Sequence, residues 1–219
     1  IGDILKTCPP HLRKIGGINF IDLNRGDADY WNVRMKKIRA AKAKVLEFAD
    51  HSMTAPVSAA IYSKDEELAV VLLDGGADPN EFDEKGCNAL HWAAQKGCSQ
   101  PLLRRILDMI HDVNAPSNYN HNKNTALILA ASSNQVNVFT SLMNMPGIDV
   151  NRQQSSYNRT ALHIAARHNR PHMVEQLLHA NADTSVKDMH NRTPLDLAIH
   201  KNSHDCVTLL LKHIPPGGK

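Results

Sequence analysis

Thr160-Ala161-Leu162-His163-Ile164-Ala165 decides the fold, because the chain writes the same six-residue phrase again and again. In-phase counterparts are Ala55-Pro56-Val57-Ser58-Ala59-Ala60, Asn88-Ala89-Leu90-His91-Trp92-Ala93, Thr125-Ala126-Leu127-Ile128-Leu129-Ala130 and Thr193-Pro194-Leu195-Asp196-Leu197-Ala198. Their second residues, 56, 89, 126, 161 and 194, stand 33, 37, 35 and 33 apart. A period of this size signals a repeat architecture rather than one globular core. The phrase reads as the start of a helix. Thr or Asn accepts a hydrogen bond from the free N–H groups of the first turn, and Pro at the first helical position gives up no bond.

About one helix later, each phrase is followed by a leucine-rich stretch: Val70–Leu73, Leu102–Leu107, Phe139–Met143, Val174–Leu178 and Val207–Leu211. Turn sequences close the units at Gly76-Ala77-Asp78-Pro79-Asn80, Asp112-Val113-Asn114, Ile148-Asp149-Val150-Asn151 and Asn181-Ala182-Asp183. Small Ala pairs in the first helix let a neighbouring backbone approach closely, and the leucines fill the seam. Neither helix can bury its apolar face alone, so the units must stack.

The pattern resembles the ankyrin repeat, with its period of about 33 and its T-P-L-H-x-A phrase. The resemblance implies an all-α solenoid of five helix pairs joined by β-hairpin loops, spanning residues 50–213. Repeats are expected at about 50–82, 83–119, 120–154, 155–187 and 188–213. Ala55 stands where a capping Thr is expected, a loss of ~1 kcal/mol unless Ser52 or Thr54 substitutes. Four extra residues lengthen the second unit, mostly within polar Ala115–Asn122, which is expected as a longer exposed hairpin. Asp196, Asn191, Arg192 and Asn202 make the last unit more polar and read as a cap.

Residues 1–49 do not repeat. Trp31, Met35, Ile38, Val45 and Ala49 fall on one side of a helical pattern, with six Lys or Arg residues between 34 and 44 over much of the rest. This segment is expected to be a helical cap over the first repeat. The competing reading is a basic arm for an acidic partner, RNA or lipid headgroups.

Composition excludes several classes. Of 219 residues, 42% are hydrophobic and 21% charged, and the net charge is +3, far from the basicity that argues for nucleic acid by itself. With 5% aromatic residues there is little for bases to stack on, which weighs against nucleic acid as the partner. No apolar run is long enough to span a bilayer. Cys8, Cys87, Cys98 and Cys206 lack C-x-x-C spacing and read as free thiols, which points to an intracellular setting, cytoplasm or nucleus.

Thirteen histidines invite a search for metal or acid–base chemistry. His200 and His204 would share a face of one helix, but the repeat puts the turn between helices near Asn202. No Cys or carboxylate joins the histidines in ligand spacing, so no metal or cofactor is expected. The resemblance implies that His91 and His163 are structural. No nucleophile elbow, phosphate loop or metalloprotease motif is present, and the chain is read as no enzyme.

The resemblance further implies that partners dock on a concave face, lined by the two residues after each Ala pair, and on the hairpin tips. At these positions the candidate contacts are Tyr62, Gln95, Lys96, Arg167, His168 and Lys201 on the face, with Lys85, Tyr157, Arg159, His190 and Arg192 at the tips. The face is expected to run from neutral at the first repeat to basic at the fourth and fifth, to suit an acidic or polar segment of another protein and to bind it more strongly towards pH 6. No small-molecule substrate or membrane is implied. The alternative is a regulatory or substrate-targeting domain of a larger enzyme or of a pathogen effector.

Overall fold

The structure, a computed structural model, describes residues 55–118 and 122–213. The helical cap expected within residues 1–49 lies outside the described residues. Ten helices form among those described. They pair as α1 (Pro56–Tyr62) with α2 (Glu66–Asp74), α3 (Ala89–Lys96) with α4 (Gln100–Met109), α5 (Ala126–Ser133) with α6 (Val136–Met143), α7 (Ala161–Arg167) with α8 (Pro171–His179), and α9 (Pro194–His200) with α10 (His204–His213). The first helices pack in the series α1, α3, α5, α7, α9 and the second helices in the series α2, α4, α6, α8, α10, so the array is a two-layered stack.

Local chemistry sets each helix start. The side chains of Asn88, Thr125, Thr160 and Thr193 accept from the backbone N–H three residues on, at 3.2, 3.4, 3.5 and 3.2 Å. Ala55 offers α1 no such bond. Between the paired helices the chain turns through a left-handed residue each time: Lys64, Gly97, Asn134, Asn169 and Asn202, with φ between 51° and 76°. Asn is the non-glycine residue that tolerates this conformation best, which explains its use at three of the five turns.

The core is one continuous seam. Ala60, Ala93, Ala94, Ala130, Ala131, Ala165, Ala166 and Ala198 are sealed from solvent where first helices meet. Leu103, Ile106, Phe139, Leu142, Val174, Leu177 and Leu210 fill the layer between first and second helices. Full burial of each such side chain contributes about 1.5–3 kcal/mol, and the contributions pass from one repeat to the next.

The last repeat departs from the expected polar cap. Ile199 is 55% exposed and Leu211 56% exposed, at repeat positions where Ala166 is sealed at 0% and Leu178 at 6%. On its outer side this unit keeps the apolar pattern of an internal repeat. The loops depart from expectation too, because they contain no strand among the described residues. Each instead closes on a backbone bond across its ends: Asp83 N–H to Cys87 O (2.8 Å), Ser117 to Asn124 (2.8 Å), Gln154 to Arg159 (2.9 Å) and Asp188 to Arg192 (2.8 Å). Further single bonds join neighbouring loops, from Asn118 N–H to Gly86 O (3.0 Å), Ser155 to Asn122 (2.8 Å) and Met189 to Tyr157 (2.9 Å). Ala115 and Ser117, expected on an exposed extension, are buried at the base of their loop.

On the side where the turns lie, an asparagine ladder ties the repeats. Asn80 Oδ1 accepts from His111 N–H (2.9 Å), Asn114 Oδ1 from Asp149 N–H (2.8 Å) and Asn151 Oδ1 from Asp183 N–H (2.8 Å). The Asp-x-Asn turns of the sequence are therefore inter-repeat connectors as well as turns.

Candidate partner-binding surface

The loop before α9 is built on Asp188, whose side chain is sealed from solvent. Asp188 Oδ1 accepts the N–H groups of His190 (2.9 Å) and Arg192 (3.1 Å). On Oδ2 two guanidiniums converge: Arg159 through Nε and Nη2, both at 3.2 Å, and Arg192 through Nη2 at 3.0 Å. Burial opposes the charge on Asp188, yet these hydrogen bonds outweigh it and hold the carboxyl well below the usual carboxylate range. Arg159, expected as an exposed tip contact, is therefore a buried strut with its guanidinium 4.7 Å from the Tyr157 ring centroid. Arg192 is half-buried and shares the same carboxylate. A sequence reading that treats each loop singly cannot see this pairing, because Arg159 and Asp188 belong to different repeats.

At the other end, Tyr62 and the buried Trp92 meet edge to face, centroids 4.8 Å apart. Trp92 Nε1–H donates to Asp83 Oδ2 at 2.7 Å, and Asp83 Oδ1 accepts Lys85 N–H and Cys87 N–H, both at 2.9 Å. Lys96 Nζ lies 4.5 Å and Lys85 Nζ 5.1 Å from the Tyr62 ring centroid. The first end of the face was expected to be neutral. It is instead an aromatic platform with two ammonium groups over it, and Gln95 lies half-buried beside Lys96.

Across the fourth and fifth repeats, Arg167 is half-buried while His168, His190 and Lys201 are exposed. Burial first, and then the charges of Arg167, Arg170, Lys201 and Arg159, hold the His168 imidazole below its ordinary value. The expectation that this histidine charges as pH falls towards 6 is thereby corrected, since its neighbours are already cationic. Arg170 was missed in the sequence. It occupies the N-cap position of α8, where an acceptor is favoured and a cation meets the positive end of the helix dipole. Its Nε is buried without a hydrogen-bond partner. The signal was a basic residue immediately before Pro171.

His91 and His163 are structural. His91 Nδ1 accepts from Asn88 N–H (3.2 Å), and its Nε2–H reaches the Ala115 carbonyl of the next repeat (2.9 Å). His163 repeats the arrangement with Thr160 N–H (3.2 Å) and the Arg192 carbonyl (3.2 Å). Burial lowers both, His91 to about 4. Burial, with the charge of Glu66, pushes the Cys98 thiol up to about 12, and burial with Asp205 pushes Cys206 up to about 11, so neither forms a thiolate nucleophile at neutral pH. Among the described residues no three His, Cys, Asp or Glu side chains converge as metal ligands, and no helix is long and apolar enough to cross a membrane.

A family model described as ankyrin repeats (3 copies) matches residues 57–154 and 152–217. The chain is similar to the E3 ubiquitin-protein ligase KEG of Arabidopsis thaliana, at 28% identity over 64% of this chain and 11% of that protein. It is similar also to Inversin of Gallus gallus, at 32% identity over 58% of this chain and 11% of that protein. NF-kappa-B inhibitor alpha of Sus scrofa matches at 30% identity over 55% of this chain and 39% of its own length. The chain thus spans well under half the length of these relatives.

Proposed function

Because the chain belongs to the ankyrin-repeat family, we propose that it works by holding an acidic or polar segment of another protein on its concave face and hairpin tips. Ankyrin repeats are in general protein–protein interaction modules, which supports the coarser statement directly. The finer one is carried by the basic cluster at the fourth and fifth repeats, where Arg167, Arg170 and Lys201 crowd His168. Three cations around one imidazole repel one another and are relieved by a carboxylate, most of all one that also meets the open end of α8 at Arg170. Lys85 and Lys96 over Tyr62 extend the same chemistry to the first end of the face, with Gln95, Tyr157 and His190 as further contacts. Arg159 and Arg192 serve by holding the fifth loop in shape. The array itself carries no catalytic step, needs no cofactor, and works inside the cell, in cytoplasm or nucleus.

A second reading has one observation behind it: the match to a far longer protein named as an E3 ubiquitin-protein ligase. On that reading the same face would bring substrates to an enzyme of which this array is a part. Both readings make the face a protein-binding surface.

The test is affinity capture from cell lysate followed by titration of the captured partner. Arg167→Ala with Lys201→Ala should weaken binding by about 1–3 kcal/mol, roughly 5–150-fold, with the fold intact. Lys212→Ala, at an exposed position of α10, should bind like the parent. Equal affinity for the double variant and the control would overturn the concave-face reading. Arg192→Ala is not a clean test, since it removes one of the two guanidiniums that hold Asp188.

A further inference from the structure

On the loop side of the array, a trough of about 450 Å³ opens between three consecutive loops. Phe82 and Gly86 line it from the loop before α3. Pro116, Ser117, Asn118 and Lys123 line it from the loop before α5, and Arg152, Gln153 and Ser155 from the loop before α7. The volume falls in the range of ordinary ligand sites. Its walls are held in register by the backbone bonds Asn118 N–H to Gly86 O and Ser155 N–H to Asn122 O.

Three features point to an anion. Lys123 and Arg152 are exposed at the trough, and among the described residues that line it none is acidic. In its lining the Ser117 side chain is 1% exposed, and its hydroxyl has no hydrogen-bond partner. A buried hydroxyl without a partner is destabilising, and an incoming acceptor would satisfy it. The equivalent loop positions in the second and fifth repeats are Asp83 and Asp188, whose carboxylates are filled by partners from their own and neighbouring repeats. In the loop before α5 a hydroxyl, that of Ser117, stands in place of this carboxylate, and Lys123 and Arg152 line the same trough.

We infer that this trough seats an acidic side chain of an extended partner segment. One carboxylate would accept from Ser117 Oγ–H between Lys123 and Arg152, and an apolar neighbour would rest against Phe82. An extended chain suits it because the trough runs across three loops, whereas a lone small anion would leave most of it empty. The inference rests on the reading of the array as a protein-binding module, and it adds a second subsite on a side distinct from the basic end of the concave face.

The test is heteronuclear NMR of the whole chain, with two probes: a peptide Ac-Ala-Leu-Glu-Glu-Leu-Ala-amide, and inorganic phosphate. The peptide should shift the amides of Gly86, Ser117, Asn118 and Lys123 saturably. Ser117→Ala with Arg152→Gln should weaken that response at least fivefold, while Lys212→Gln, exposed and outside both surfaces, leaves it unchanged. Shifts confined to Arg167, His168 and Lys201 would overturn the trough and leave the concave-face reading standing. A response to phosphate with none to the peptide would make this a small-anion site and overturn the peptide assignment. Peptide shifts at the trough that survive in the Ser117 and Arg152 variant would overturn the roles of that hydroxyl and that guanidinium in seating the carboxylate. No peptide shift anywhere would overturn both the trough and the preference for acidic partners.

Discussion

Asp188→Asn isolates the charge that the fifth loop is built on. The substitution is nearly isosteric, so Oδ1 goes on accepting from His190 N–H and Arg192 N–H. The oxygen shared by Arg159 and Arg192 becomes an NH₂ group that faces two guanidiniums with donors of its own. Breaking a buried ion pair from one side costs about 3–5 kcal/mol. The Arg159 side chain is only 9% exposed and cannot escape, whereas that of Arg192 is 30% exposed and can turn to water. The lower end, about 3 kcal/mol, is therefore expected. For an array of this size each kcal/mol lowers Tm by roughly 2–4 °C, so about 6–12 °C should be lost at neutral pH. In a quasi-linear array the loss concentrates at the junction it touches, and amides of α9 and α10 should exchange first. The pH dependence has a fixed sign. The folded Asp188 carboxyl lies below its ordinary value of 3.8, so its stabilisation is whole above that pH and fades as pH falls through 3.8 towards the folded value. The gap between parent and variant in melting followed by circular dichroism should accordingly shrink in acid. A variant that melts within about 2 °C of the parent at neutral pH, or a gap that ignores acid, would refute the reasoning.

Other outcomes follow from single sites. Gly86→Ala should destabilise by about 1–3 kcal/mol, because φ is +64° and the new Cβ would lie 2.5 Å from Asn118 Cβ; thermal melting reads this, and an unchanged Tm would count against it. His91 protonates only near pH 4 when folded but near 6.5 when unfolded, so stability should fall as pH drops from 6.5 towards 4, with His163 acting in the same direction. Melting at a series of pH values checks this, and a flat profile across that window would contradict it. Excess EDTA should leave Tm unchanged; a fall of several degrees would reveal a structural metal.

The repeat phrase alone makes the all-α stack of helix pairs legible. The caps at Asn88, Thr125, Thr160 and Thr193 act on backbone groups three residues away. Ala pairs and leucines record on each helix which face must be covered. Such signals lie within one repeat and recur, so a single sequence displays them several times over.

The candidate surface was legible only in part. Repeat phase located the basic end around Arg167, His168 and Lys201, but Arg170 went unread because its effect depends on the helix start at Pro171. At Tyr62, the ammonium of Lys85 arrives from the next loop, so the first end looked neutral in sequence and is basic in space.

By itself, then, the sequence determined the helix pairs, their phase and the need for them to stack, because capping, turn and close-packing chemistry is local and periodic. Only the tertiary structure decided which polar groups remain available. Arg159 and Asp188 lie 29 residues apart, yet stacking sets them 3.2 Å from each other and takes the arginine off the surface. The same stacking leaves the buried Ser117 hydroxyl without a partner in a trough that Lys123 and Arg152 also line. Whether a charge meets its counter-charge or faces water depends on distance across a repeat junction, and no residue pattern within one repeat records that distance.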